Sequence, residues 1–332
     1  MARRKSLNPL SNFSDHGGWL QIALQLQGSV VQEVFPRTFA CGTFGLLVYL
    51  IHTQGINLYL PILNSLIPNL VLGLLLVFRT NTAYERFWEG RKAWGSLVNN
   101  VRNLARSILI LISESSDQDR QAKIAALRLL PGFAIAVKQH LRQQPPSYEL
   151  QDLVSAWQFE QLQEKNNLPL TVAFWLHSYL QQQTQKQALD PLQLVSMCGL
   201  LSQMVDALGV CERIQKTPIP LAYAIHLRQL LMVYCLLLPF QMVTALGWLT
   251  PLLVALISFT LLGIEEIGIQ IEDPFGNDPN DLPLDAICQA MIQNIEDLLE
   301  LSNIPFTNSA TSQLIPNQTK LTPRQRTITE SD

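Results

Sequence analysis

Two long stretches of this 332-residue chain carry no charge, and they limit its folding more than any other feature. Between Thr38 and Phe78 there are 41 residues without Asp, Glu, Lys or Arg, and between Gln229 and Ile264 there are 36. Charged residues make up only 15% of the chain, against roughly 25% in an average soluble domain. A helix that crosses a bilayer needs about 20 predominantly apolar residues, so each stretch is long enough for two passes. The chain therefore reads as a multi-pass integral membrane protein, with the lipid bilayer as one partner.

The first stretch divides into 38–54 and 58–78 around a polar hinge at Gly55 and Asn57, and Pro61 and Pro68 interrupt its second half. The second divides into 229–249 and 250–264, with Pro251 near the corner. Arg3, Arg4, Lys5 and Arg37 precede the first span, Arg79, Arg86, Arg91 and Lys92 follow the second, and Arg213, Lys216 and Arg228 precede the third. The positive-inside rule then places the ends of both hairpins, and both chain termini, in the cytoplasm. "SLNPLSNFSDHGG" after the first basic residues lacks the apolar run of a signal peptide.

The expected organisation follows. A cytoplasmic N-terminal segment (1–37) leads to a first hairpin (38–78), a cytoplasmic helical domain (79–228) and a second hairpin (229–264). A cytoplasmic turn and helix (265–302) and a flexible polar tail (303–332) complete it. The middle domain shows apolar residues at three- and four-residue spacing and no alternating runs, which predicts an all-α body. Asp190 before Pro191 predicts a helix N-terminus there. "RTNTAYERFWEGRKAWG" (79–95) follows the apolar "LVLGLLLVF" with no helix breaker before Gly90, so one helix is expected to leave the bilayer and continue into the cytoplasm. Tyr84, Phe87 and Trp88 would lie near the membrane interface, with the arginines meeting headgroups or water.

Catalytic signatures are missing from the sequence. His16, His52, His140, His177 and His226 are scattered, with no HExxH, and the five cysteines form no CxxC. The sequence has neither a phosphate-binding loop of the G-x-x-x-x-G-K-[ST] type nor a G-x-S-x-G elbow. A net charge of −3 argues against nucleic acid as a partner. With no Asp, Glu, Lys or Arg inside the uncharged stretches, proton- or ion-coupled transport is disfavoured. An uncharged pore gated by apolar side chains fits this inventory, and a ring of subunits would be needed to enclose it. Leu66, Leu70, Leu74 and Phe78 recur every four residues on the second span as the candidate pore stripe, with Asn64 and Asn69 adding polarity in its outer half. On the residues alone, a stripe of leucines that faces lipid is the first reading.

"FRTNTAYERFWEGRKAWG" followed by "VRNLAR", "CERIQKTPIPLAYAIHLRQLLMVYCLLLPF" and "IEDPFGNDPNDLPLDAICQAM" resemble the bacterial branch of the bestrophins, in the same order over roughly residues 15–300. The resemblance implies an all-α membrane protein: four transmembrane helices per subunit, continuous with a cytoplasmic helical bundle and assembled as a bestrophin-like homopentamer. It implies a channel for small inorganic anions, chloride and then bicarbonate, in a bacterial inner membrane or another energised internal membrane. It places the pore neck at Leu70, Leu74 and Phe78 and a cytoplasmic aperture at Leu192. Animal bestrophins carry bulky aromatics in the neck, where this chain has Leu, Leu and Phe. Asp273, Asn277, Asp278 and Asp281 match the acidic calcium-binding cluster of the animal proteins, but Pro279 and Asn280 depart from it. An Asx-capped turn leading into a helix over 284–300 is thus the first reading of that stretch, with calcium the second and no other cofactor expected. An apolar collar does not name the sign of its ion. A monovalent cation channel of the same fold, or a non-conducting membrane scaffold, therefore stays open.

Overall fold

The computed structural model describes residues 25, 28–60 and 66–302. Arg3, Arg4, Lys5, His16, Pro61, Asn64 and the 303–332 tail lie outside the described residues. The described residues form helices and no strands: α1 (Val31–Thr53), α2 (Leu66–Leu111), α3 (Asp117–Leu141), α4 (Tyr148–Gln151), α5 (Ala156–Gln163), α6 (Leu168–Gln185), α7 (Pro191–Lys216), α8 (Leu221–Leu246), α9 (Thr250–Glu272) and α10 (Leu284–Ser302). By length and composition, α1, α2, α7 and the α8–α9 run are apolar enough to cross a membrane. In α8–α9 a 3-10 turn at Gly247–Leu249 reverses the chain. Gly247 takes φ +50 there, a left-handed conformation open to glycine. The run is thus two passes, and both helices extend beyond the uncharged stretch that predicted them.

α7 is apolar for a different reason. Its Met197, Leu201, Met204, Leu208 and Cys211 join one core with Trp94, Leu97 and Val101 of α2 and Phe133 of α3. That core belongs to the helical body, and α7 packs into it by one face. Asp190 caps it as expected, accepting from the Leu192 N–H at 2.8 Å, with Pro191 in the first turn.

The 46 residues of α2 form one unbroken helix, about 70 Å long at 1.5 Å per residue. Its first third packs on α8 through Leu72, Leu76, Leu227 and Leu231, and the rest runs through the body. Gly90 does not break it. It gives α2 a flat point against the loop after α9, where a Cβ would come within 3.0 Å of the Phe275 ring. Glycines bring α1 and α9 together in the same way: a Cβ on Gly42 would stand 3.1 Å from Ala255 Cβ, and one on Gly45 3.2 Å from Pro251 Cα. Close approach at small residues is how helices gain packing in lipid, where no hydrophobic force draws them together.

The spans converge at one end, and there the arginines depart from expectation. Arg79 does not reach headgroups or water: it is 3% exposed and pairs with Glu272 at 3.2 Å. Arg228 of α8 pairs with Glu265 at 3.0 Å, and Arg37 of α1 with Glu266 at 3.2 Å. α9 thus supplies one carboxylate to an arginine from each of the other three spanning helices. Arg86 donates to the Glu272 carbonyl at 3.0 Å and to the Ile214 carbonyl at 2.8 Å, and also to the Thr217 carbonyl. It neutralises the C-terminal end of α7, where unpaired carbonyls collect. Tyr223 closes the junction by donating to the Leu75 carbonyl at 2.7 Å.

Removing one partner of a buried pair leaves the other charge uncompensated. Glu272→Gln is therefore expected to cost about 3 kcal/mol in thermal unfolding in detergent. Lys186→Ala, which removes an outer, solvent-screened pair with Asp119, should lower the melting temperature far less.

Candidate functional site

Packing fixes the rotation of α2. Leu72, Leu76, Arg79, Ala83, Gly90 and Trp94 are buried, and their three- and four-residue spacing puts them on one face. Leu70 (56% exposed), Leu74 (47%) and Phe78 (61%) occupy the opposite face. The structure thus places the three expected neck residues on one uncovered stripe, which no other part of the described chain covers. Leu66, at 75% exposure, extends the stripe outward. Of the interface aromatics, Tyr84 and Trp88 are exposed, while Phe87 packs on the core of the body.

Leu192 stands apart from the neck. It is 81% exposed in the first turn of α7. Backbone and side chain of Ser113 both donate to the Ala188 carbonyl, at 3.1 and 3.2 Å, which ties the turn before α7 to the far end of α2. From Phe78 to Leu111 the helix rises about 50 Å. Neck and aperture candidates therefore lie toward opposite ends of the same rod.

The acidic turn closes on its own backbone. Asp273, Asp278 and Asp281 line one cleft with Glu33 and Glu266, while Asn277 is not among its lining residues. Asp273 accepts from the Phe275 N–H at 3.4 Å, and Asp281 accepts from the Asp278 N–H at 2.7 Å. These are Asx-type contacts of a turn. Asn280 donates to Gln270 Oε1 at 2.7 Å and to the Gly28 carbonyl at 3.3 Å. Among the described residues, no group of three or more His, Cys, Asp or Glu is placed to hold a metal ion. Burial lifts the Asp281 carboxyl from 3.8 to about 6, and the nearby Asp278 and Asp273 carboxylates add to the rise.

Sequence reasoning missed the glutamates of α9. The signal was present: Glu265 and Glu266 end the second uncharged stretch, and Glu272 follows Glu265 by seven residues on the same helix face. Their partners lie 37 to 229 residues away, so only folding reveals the pairing.

With this geometry in view, the comparisons with known proteins agree. The bacterial/fungal bestrophin family matches residues 12–297 of the chain. A voltage-dependent anion channel-forming protein of Nostoc sp. is 59% identical over 284 residues, covering 86% of this chain and 92% of that protein. A protein of the same description from Synechocystis sp. is 52% identical over 297 residues, covering 88% and 97%. Among solved structures, a mutant of a bacterial bestrophin homolog from Klebsiella pneumoniae superposes with a TM-score of 0.71 at 25% identity, covering 82% of this chain and 99% of that one. The chain belongs to the bestrophin family, and it is an all-α integral membrane protein.

The raised Asp281 carboxyl sets a pH dependence. Its proton is held more tightly in the folded state than in the unfolded chain, so the stability it contributes is complete below about pH 4 and is lost as pH rises through about 6. Asp281→Asn keeps the acceptor for the Asp278 N–H and removes the charge. The variant should melt about 2 °C or more above the parent at pH 7.5 and lose that advantage at pH 4. A lower melting temperature at pH 7.5 would contradict this account of the turn.

Proposed function

We propose that five copies of this chain form an anion channel in a bacterial inner membrane or another energised internal membrane. Leu70, Leu74 and Phe78 of each α2 would line the neck, and Leu192 the cytoplasmic aperture. One observation carries the reading: the stripe that family resemblance assigns to the neck is the face of α2 that its own subunit leaves uncovered. The relatives described as anion channel-forming, at 59% and 52% identity over nearly their whole length, support the choice of ion.

In such a ring the three side chains stack as apolar collars. They offer no dipole to replace an ion's hydration shell, so a narrow neck excludes water and closes the path, and a wider one passes hydrated monovalent anions. Chloride is the first ion in this reading and bicarbonate the next. α2 makes the wall continuous, because the helix that forms the collars also forms part of the cytoplasmic body. The paired Arg37, Arg79 and Arg228 mark the cytoplasmic end of the spans under the positive-inside rule, which puts both termini on that side.

Cysteine substitution tests the assignment. In protein reconstituted in planar bilayers, Leu70→Cys and Leu74→Cys are expected to lose most of their current on exposure to a small charged aqueous thiol reagent. Leu46→Cys, on the exposed surface of α1, should be indifferent to it. Equal indifference at all three positions would favour a scaffold whose α2 stripe faces lipid.

A further inference from the structure

The neck stripe does not end at Phe78. On an unbroken helix, Asn81, Glu85, Lys92 and Arg106 lie within about one residue's rotation of the Leu70–Leu74–Phe78 line, and all four are exposed. Arg79 points to the opposite, packed face. Glu85 is therefore the first exposed charge on the stripe below the neck.

Its neighbourhood leaves that charge uncompensated. The residues three and four positions away are Thr82, Trp88, Asn81 and Glu89, none of them basic. Arg86 is spent on the carbonyls of Glu272, Ile214 and Thr217, Arg79 on Glu272, and Arg213 on Glu89. Among the described residues, Glu85 has no ion-pair partner. Lys92, two turns further on, lines a groove with Asp206 of α7. At 1.5 Å per residue, Glu85 lies about 10 Å along the helix from Phe78, Lys92 about 20 Å and Arg106 about 40 Å. With a Debye length of about 10 Å at 0.1 M salt, Glu85 lies about one such length from the inner mouth of the neck, while Lys92 and Arg106 lie about two and four lengths away and are largely screened.

We propose that Glu85 is a specificity-determining residue of the channel, an inference that rests on the neck reading given above. Five such carboxylates form a negative ring at the inner mouth of the neck. The ring depletes anions on the vestibule side, so anions leaving the vestibule are slowed relative to anions entering it, and the current rectifies. It also draws cations to the mouth and lowers the anion preference of the channel.

The test compares parent, Glu85→Gln and Glu85→Asp in planar bilayers, with Leu74→Cys treated with the thiol reagent in parallel. In symmetric 0.1 M NaCl, Glu85→Gln should raise anion current out of the vestibule by about threefold or more and flatten the rectification. Under a NaCl gradient its reversal potential should move toward the chloride value. Glu85→Asp, which keeps the charge, should resemble the parent. At 1 M salt, where the Debye length is about 3 Å, the gain of Glu85→Gln should largely vanish. If Glu85→Gln matches the parent at 0.1 M while the reagent still blocks Leu74→Cys, the inference is overturned and the neck reading stands. A gain that persists undiminished at 1 M salt also overturns it, because a change of packing would not be screened. If the reagent leaves Leu74→Cys untouched, the neck reading fails and the inference fails with it.

Discussion

Three glutamates on one helix hold the membrane end of this fold together. Glu265, Glu266 and Glu272 of α9 take Arg228 of α8, Arg37 of α1 and Arg79 of α2. Each pair joins α9 to a different span, so the four helices share one register at that end. The Arg79–Glu272 pair matters most because Arg79 is almost fully buried. A buried charge is tolerated only with its counter-charge in place, so this pair does not slide or rotate cheaply. It fixes which way α2 turns, and with it the face that packs and the face left bare.

From that rotation the functional geometry follows. Leu72 and Leu76 seat α2 on α8, and Trp94, Leu97 and Val101 seat it in the body. The side left over carries Leu70, Leu74 and Phe78, and then Glu85. Gly90 lets the loop around Phe275 press against the rod without bending it. A rod held at both ends couples the helical body to the spans, so changes in the body have a direct path to the uncovered stripe.

Much of this was legible in the sequence. Hydropathy is a local property, so two uncharged stretches sufficed for an all-α membrane protein with two hairpins, and the resemblance to bestrophins named the family. The Asp190–Pro191 cap and the continuous helix through 79–95 were likewise readable, because capping and helix continuity act within a few residues. The fate of the arginines was not. Arg79 finds its partner 193 residues away, and a flanking arginine looks the same in sequence whether it meets lipid headgroups or a buried glutamate. The four-residue spacing of Leu66 to Phe78 gave a stripe without saying what it faces, and burial of the opposite face supplied that. At 273–281 the sequence favoured an Asx-capped turn over a cation site, and the fold turns two of the acidic residues onto backbone N–H groups of the loop. Composition alone does not distinguish those outcomes.

The account stands on an anion-conducting neck, and its most direct test is the reversal potential of the purified protein in a planar bilayer under a NaCl gradient. Reversal near the chloride equilibrium potential is the predicted result. Reversal near the sodium equilibrium potential would contradict it and make the same uncovered face of α2 the wall of a cation pathway.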